Sequence, residues 1–172
     1  AFDVGKQEVA LAKLEAGLKL PGMSLYRLPI PGDLGANQTQ SIRMWQHVQV
    51  WQWMELLARS QNVTRMMLRY GKQKEEAGDL EGAEAAYRQV LALGRQVGNA
   101  RPNLFVTVTT ALSIMEDGYV NLARVADARK STQAETWKGE AGVVYIGRQG
   151  LVGQLQAYTD RIARDPPASI EA

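Results

Sequence analysis

Histidine, cysteine and paired carboxylates are the side chains most able to do chemistry, and in this chain they are scarce or poorly spaced. His47 is the single histidine and there is no cysteine. That excludes a thiolate nucleophile, a disulfide framework, a zinc ribbon and an iron–sulfur cluster. It also excludes any site built on two imidazoles, and a Ser/His/Asp triad would have to run through His47. No carboxylate stands three or four residues from His47, so on a helix it has no neighbouring ligand. It reads as a surface histidine, or one hydrogen-bonded in a core. Paired carboxylates occur at Glu75-Glu76, Glu81/Glu84 and Glu116-Asp117. The first two lie among lysines and arginines and read as solvated helix face. Glu116-Asp117 follows an apolar run and is placed at a possible helix bend. Gly147-Arg148-Gln149-Gly150 lacks the strand–loop–helix setting of a phosphate-cradling loop. These patterns predict no catalytic residue, no metal site and no cofactor.

The elements that hold these residues belong to an ordinary globular chain. Of 172 residues, 45% are hydrophobic and 22% charged, enough for a fold of this size to bury roughly 70% of its unfolded surface. Twenty basic residues against 18 acidic ones leave a net charge of +2, with no Lys/Arg cluster, so no nucleic-acid footprint is expected. No apolar run approaches the roughly 18 residues of a membrane span. The chain opens on Ala1 without a signal peptide and is read as a mature form or a segment of a longer protein. The missing cysteines favour a periplasmic or other extracytoplasmic setting over the cytoplasm. The Asn-x-Thr triplets at Asn37 and Asn62 read as chance.

Hydrophobic periodicity predicts an all-α domain over 1–165, with a flexible tail at 166–172. Residues 5–20 place Val9, Leu11, Leu14 and Leu18 at helical spacing before Pro21-Gly22. Residues 21–40, with Pro21, Pro29, Pro31, Gly32 and Gly35, read as a long loop. A helix starts near Asn37–Ser41. From Met44 to Leu57 it is apolar almost all round, and it runs to Ala77 as one helix, or as two with a break near Ser60–Asn62. Gly78-Asp79 turns the chain into a helix over 80–97 that ends at Gly98-Asn99. Pro102 starts the next, over 102–130, bent if anywhere at Asp117-Gly118. For 131–147 a strand, a loop and a helix all remain open. Helical spacing resumes from Gln149 and stops at Asp165-Pro166-Pro167.

Within this frame, residues 64–97 resemble one tetratricopeptide (TPR) repeat, a helix–turn–helix unit. Gly71 in the first helix, Gly78-Asp79 at the turn, then Ala83 and Tyr87 in the second carry the likeness. Small residues fall where two helices would cross, and Tyr87 fills the space one turn on. Lys74 and Arg95 stand where the motif has an aromatic and a proline. Gly5, Ala10, Leu14 and Leu18 repeat the mutual spacing of Gly78, Ala83, Tyr87 and Leu91, so 1–20 reads as half of a second unit. The resemblance implies antiparallel helix hairpins in a TPR-like array, with an irregular helical bundle as the alternative. The stretch GDLEGAEAAYRQVLALGRQ is also similar to helical domains of large bacterial envelope-associated proteins.

The implied function is a non-catalytic interaction or scaffolding module that takes a protein or peptide, or a structural spacer in an envelope protein. Arg65, Arg69, Lys72 and Gln73 on the inner helix are the expected contacts. Trp45 and Trp53 belong with them if the aromatic stripe Trp45, Trp51, Trp53, Tyr70, Tyr87 lines a groove; otherwise that stripe fills the core. One enzymatic alternative exists. Gly150-Leu151-Val152-Gly153-Gln154-Leu155, with Glu135 or Glu140 upstream, resembles the glycine-leucine-glutamine stretch of lytic transglycosylases, whose glutamate needs an apolar pocket to act as general acid.

Overall fold

The computed structural model describes residues 38–100 and 104–164, with side chains from residue 51 onward, Ile162 excepted. The predicted helix over 5–20, most of the loop over 21–40, Pro102, the tail, and the side chains of Trp45 and His47 lie outside that range. The described residues form four helices and no strand: α1 (Gln38–Glu76), α2 (Leu80–Ala100), α3 (Phe105–Ala128) and α4 (Gln133–Arg164). Each packs on the next in sequence, and α1 also touches α3. This is the expected all-α array of antiparallel hairpins.

α1 is continuous through Ser60–Asn62. Its buried face is Trp53, Leu57, Ser60, Thr64, Met67 and Gly71, alternating at intervals of three and four residues as one side of a helix must. The two polar members satisfy themselves: Ser60 Oγ donates to the Leu56 carbonyl and Thr64 Oγ1 to the Ser60 carbonyl, each at 2.9 Å. α1 ends in a Schellman turn. Gly78 takes φ +80°, a conformation that favours glycine. Its N–H donates to the Glu75 carbonyl at 2.9 Å, and the Asp79 N–H to the Lys74 carbonyl at 2.8 Å. Asp79 then caps α2, its Oδ1 accepting the Gly82 N–H at 2.8 Å. That hydrogen bond and the Lys74 ammonium hold the Asp79 carboxyl below its usual range.

The end of α2 differs from the sequence expectation. α2 runs past Gly98-Asn99 to Ala100, because Gly98 serves as a packing position. A Cβ there would meet the Ala111 methyl at 3.3 Å. Gly118 lies inside a continuous α3 for the same reason, pressed under Leu91. In the ambiguous stretch 131–147, residues from Gln133 onward are the start of α4. A second Schellman turn precedes it, with Lys130 at φ 53° and the Ser131 N–H donating to the Ala126 carbonyl at 2.8 Å.

The core comes in two overlapping layers. One joins Trp53, Leu57 and Met67 of α1 to Val90, Leu93 and Val97 of α2 and Ala111 and Ile114 of α3. The other joins Ala83, Tyr87 and Leu91 of α2 to Tyr119, Leu122 and Val125 of α3 and Val144 of α4. α2 and α3 are therefore shared, and α1 and α4 close opposite ends.

Candidate functional site

Gly71, Ala83 and Tyr87 lie at the structural centre, and Gly78 at the turn that joins their helices. A Cβ on Gly71 would collide with the Tyr87 ring, so the absence of a side chain there lets the ring in. Ala83 and Tyr87 are fully buried. Tyr87 Oη donates to Glu75 Oε1 at 2.5 Å. Arg124 of α3 grips the same carboxylate with Nε at 3.0 Å and Nη2 at 2.7 Å, and Nη2 also reaches Tyr87 Oη at 3.2 Å. Burial alone would raise the Glu75 carboxyl; the Arg124 and Tyr87 hydrogen bonds and the Arg124 charge outweigh it and hold the group below its ordinary value. Burial, and then Glu75 itself, push the Tyr87 hydroxyl upward. Glu75 thus departs from the solvated-face expectation: its side chain is 19% exposed and ties three helices together. Glu84 departs likewise, bridging Arg88 at 2.7 Å and Arg129 at 2.6 Å.

Two depressions bear on function. The larger, about 400 Å³, sits under the α3–α4 turn between Glu84, Arg88, Arg129, Ser131 and Trp137. Glu84 answers both guanidinium groups, and that of Arg88 stacks 5.4 Å from the centre of the Trp137 ring. One carboxylate ties α2 to the end of α3 through both guanidinium groups, so this is a brace between helices.

The smaller, about 150 Å³, lies between α1 and α3 and is mainly polar, with Ile114 at its floor. Gln61, Thr64 and Arg65 face Thr110, Ser113 and Asp117 across it. Its two walls are pinned at both ends. Trp53 Nε1 donates to Thr107 Oγ1 at 2.6 Å, and Arg124 holds Glu75 further along. No hydrogen bond joins the Asp117 carboxylate to a donor among the described residues. Partial desolvation, then the neighbouring Glu116 charge, push that carboxyl above its usual range, against a smaller pull from Arg148. Glu116 itself pairs with Arg148 at 2.9 Å. The adjacent acids are therefore divided between an internal ion pair and an open groove, with no bend in α3 between them.

The predicted contacts separate in the same way. Arg65, Arg69, Lys72 and Gln73 are all exposed. Arg65 lines the groove, with Arg69 and Lys72 following at helical spacing on the same side. Trp53 is 4% exposed and belongs to the core, so its indole is closed to a partner. Trp51, two residues earlier, is 78% exposed. Tyr70 is half-buried beneath the Lys74 ammonium, 5.5 Å from its ring centre. Asp117, Ser113 and Thr110 were not singled out from the sequence as groove residues. Their signal was present: three polar side chains at intervals of three and four residues along one side of the helix.

Glu135 and Glu140 are exposed on α4. The Glu135 side chain, 83% exposed, takes Lys138 at 2.9 Å, without the burial that a general-acid glutamate requires. No group of three or more His, Asp or Glu among the described residues is arranged to hold a metal ion. No described helix is long and apolar enough to cross a membrane. Comparison with protein-family models, curated proteins and solved structures found no match.

Proposed function

We propose that this domain is a non-catalytic interaction or scaffolding module that takes a protein or peptide segment along the α1–α3 groove. The observation that supports this is the unmet Asp117 carboxylate in a polar groove, facing Arg65 on the opposite wall. Asp117 is exposed, and an accessible carboxylate with no donor from its own chain favours a ligand that brings an N–H. The threonine, serine and glutamine side chains around it can both donate and accept, which suits peptide main chain. Arg65, Arg69 and Lys72 extend the same line and suit acidic side chains further along the ligand. An acidic group stands opposite the basic ones here, which favours a polypeptide over nucleic acid. The similarity of the stretch GDLEGAEAAYRQVLALGRQ to bacterial envelope-associated domains supports a setting in such a protein, outside the cytoplasm.

The test is selection of a displayed random-peptide library on the full chain, followed by affinity measurements on the recovered peptides. Asp117→Asn and Arg65→Glu are expected to weaken them about tenfold or more, the equivalent of ~1.4 kcal/mol. Failure to enrich any peptide, or recovered peptides indifferent to both substitutions, would overturn the reading.

A further inference from the structure

α4 has two different faces. The inner one, with Trp137, Ala141, Val144 and Arg148, meets the rest of the molecule. The outer one is Gly139, Val143, Ile146, Gly150, Gly153 and Ala157. These positions alternate at intervals of four and three residues throughout, the repeat with which one helix faces another in a coiled coil. Val143 is 69% and Ile146 70% exposed. No atom of the described residues comes within 4 Å of a Cβ built on Gly139, Gly150 or Gly153. The seam is about 27 Å long at 1.5 Å per residue.

The order of residues along the seam selects the occupant. Bulk lies in its first half, at Val143 and Ile146, and space in its second, at Gly150 and Gly153. A second copy laid parallel would set isoleucine on isoleucine and glycine on glycine. Laid antiparallel, about a two-fold axis between Ile146 and Gly150, it sets Ile146 against Gly150 and Val143 against Gly153, twice over. The flanking charges agree. Glu140 lies towards the first end, and Arg161 and Arg164 towards the last. Neither Glu140 nor Arg161 has an ion pair among the described residues. Antiparallel pairing brings each beside its opposite on the other copy, whereas parallel pairing brings like to like. We infer that α4 pairs antiparallel with the α4 of a second copy, giving an isologous dimer.

The full chain examined by sedimentation velocity across a concentration series is expected to pass from monomer to dimer. Ile146→Glu and Gly150→Glu are expected to hold it monomeric with unchanged far-UV circular dichroism, since both positions face solvent within one chain. Glu140→Arg is expected to weaken the dimer several-fold, and adding Arg161→Glu to restore it, because the symmetric pair is rebuilt on both sides. Direction is read by cross-linking, for which the cysteine-free chain is well suited. A short bis-maleimide is expected to join Gly139→Cys to Ala157→Cys in a mixture of the two single variants, and to leave Gly139→Cys alone unlinked. A monomer at every concentration, a dimer indifferent to both glutamate substitutions, or efficient self-linking of Gly139→Cys would each overturn the proposal.

Discussion

Gly71 and Gly147 are both helical glycines, and their surroundings give them opposite roles. At Gly71 a methyl group must displace the buried Tyr87 ring; at Gly147 no described atom lies within 4 Å. Gly71→Ala is therefore expected to destabilise by about 1–3 kcal/mol through overpacking, despite the better helix propensity of alanine. Gly147→Ala is expected to stabilise by about 0.5–1 kcal/mol. Urea unfolding of the two variants checks both signs. The carboxylates divide in the same fashion. Glu75 has its folded value held below its unfolded one. The unfolded chain then binds the proton more tightly, so its stabilising effect is present above about pH 5 and is lost as the pH falls through the lowered value. Asp117 is raised, and ionising it costs stability as the pH rises past its unfolded value. Glu75→Gln is expected to destabilise at pH 7 by about 1–3 kcal/mol and to flatten the acid limb of the stability curve. Asp117→Asn is expected to stabilise at pH 7 and to change little at pH 3. Thermal unfolding across pH separates the two.

At the scale of elements, the two turns use the same hydrogen-bond pattern with different residues at the left-handed position. The first has Gly78 and the second Lys130 at φ 53°. A lysine pays about 1 kcal/mol there that glycine does not. Lys130→Gly is therefore expected to raise stability by up to about 1 kcal/mol, measured as a shift in urea midpoint at constant slope. The first turn was legible from Gly78-Asp79; the second was not, because Lys130-Ser131 carries no turn signature. The start of α4 was obscure because apolar residues occupy both of its faces, Val144 inward and Val143 and Ile146 outward, with glycines between them. Periodicity identifies a helix by its contrast between faces, and here the contrast fails. The run from Met44 to Leu57 hid a related distinction. Trp51 and Trp53 are equivalent by composition, and only the packing of α2 and α3 decides which enters the core. On the α3 wall of the groove, Thr110, Ser113 and Asp117 could be read as a stripe, but the facing wall is set by the crossing of two helices, which no local pattern encodes.

Across the whole molecule, stability is uneven by construction. Among the described side chains of α4, every buried one precedes Arg148, whereas α2 has buried residues along most of its length. Amides of α4 beyond Leu151 are expected to exchange fastest and those of α2 slowest, measured by hydrogen exchange at concentrations where the chain is monomeric. The layered core has a kinetic side as well. Tyr87, Glu75 and Arg124 meet across three helices that follow one another directly, and each layer is complete once the next helix is made. Loop closures stay short, so the search for native contacts is local. During synthesis the α1–α2 hairpin can settle while α4 is still on the ribosome, and the last helix then adds to a surface already in place. A chain assembled in that order closes its first core layer when α3 arrives and its second when α4 does, so the sequential packing sets the order in which the core is covered.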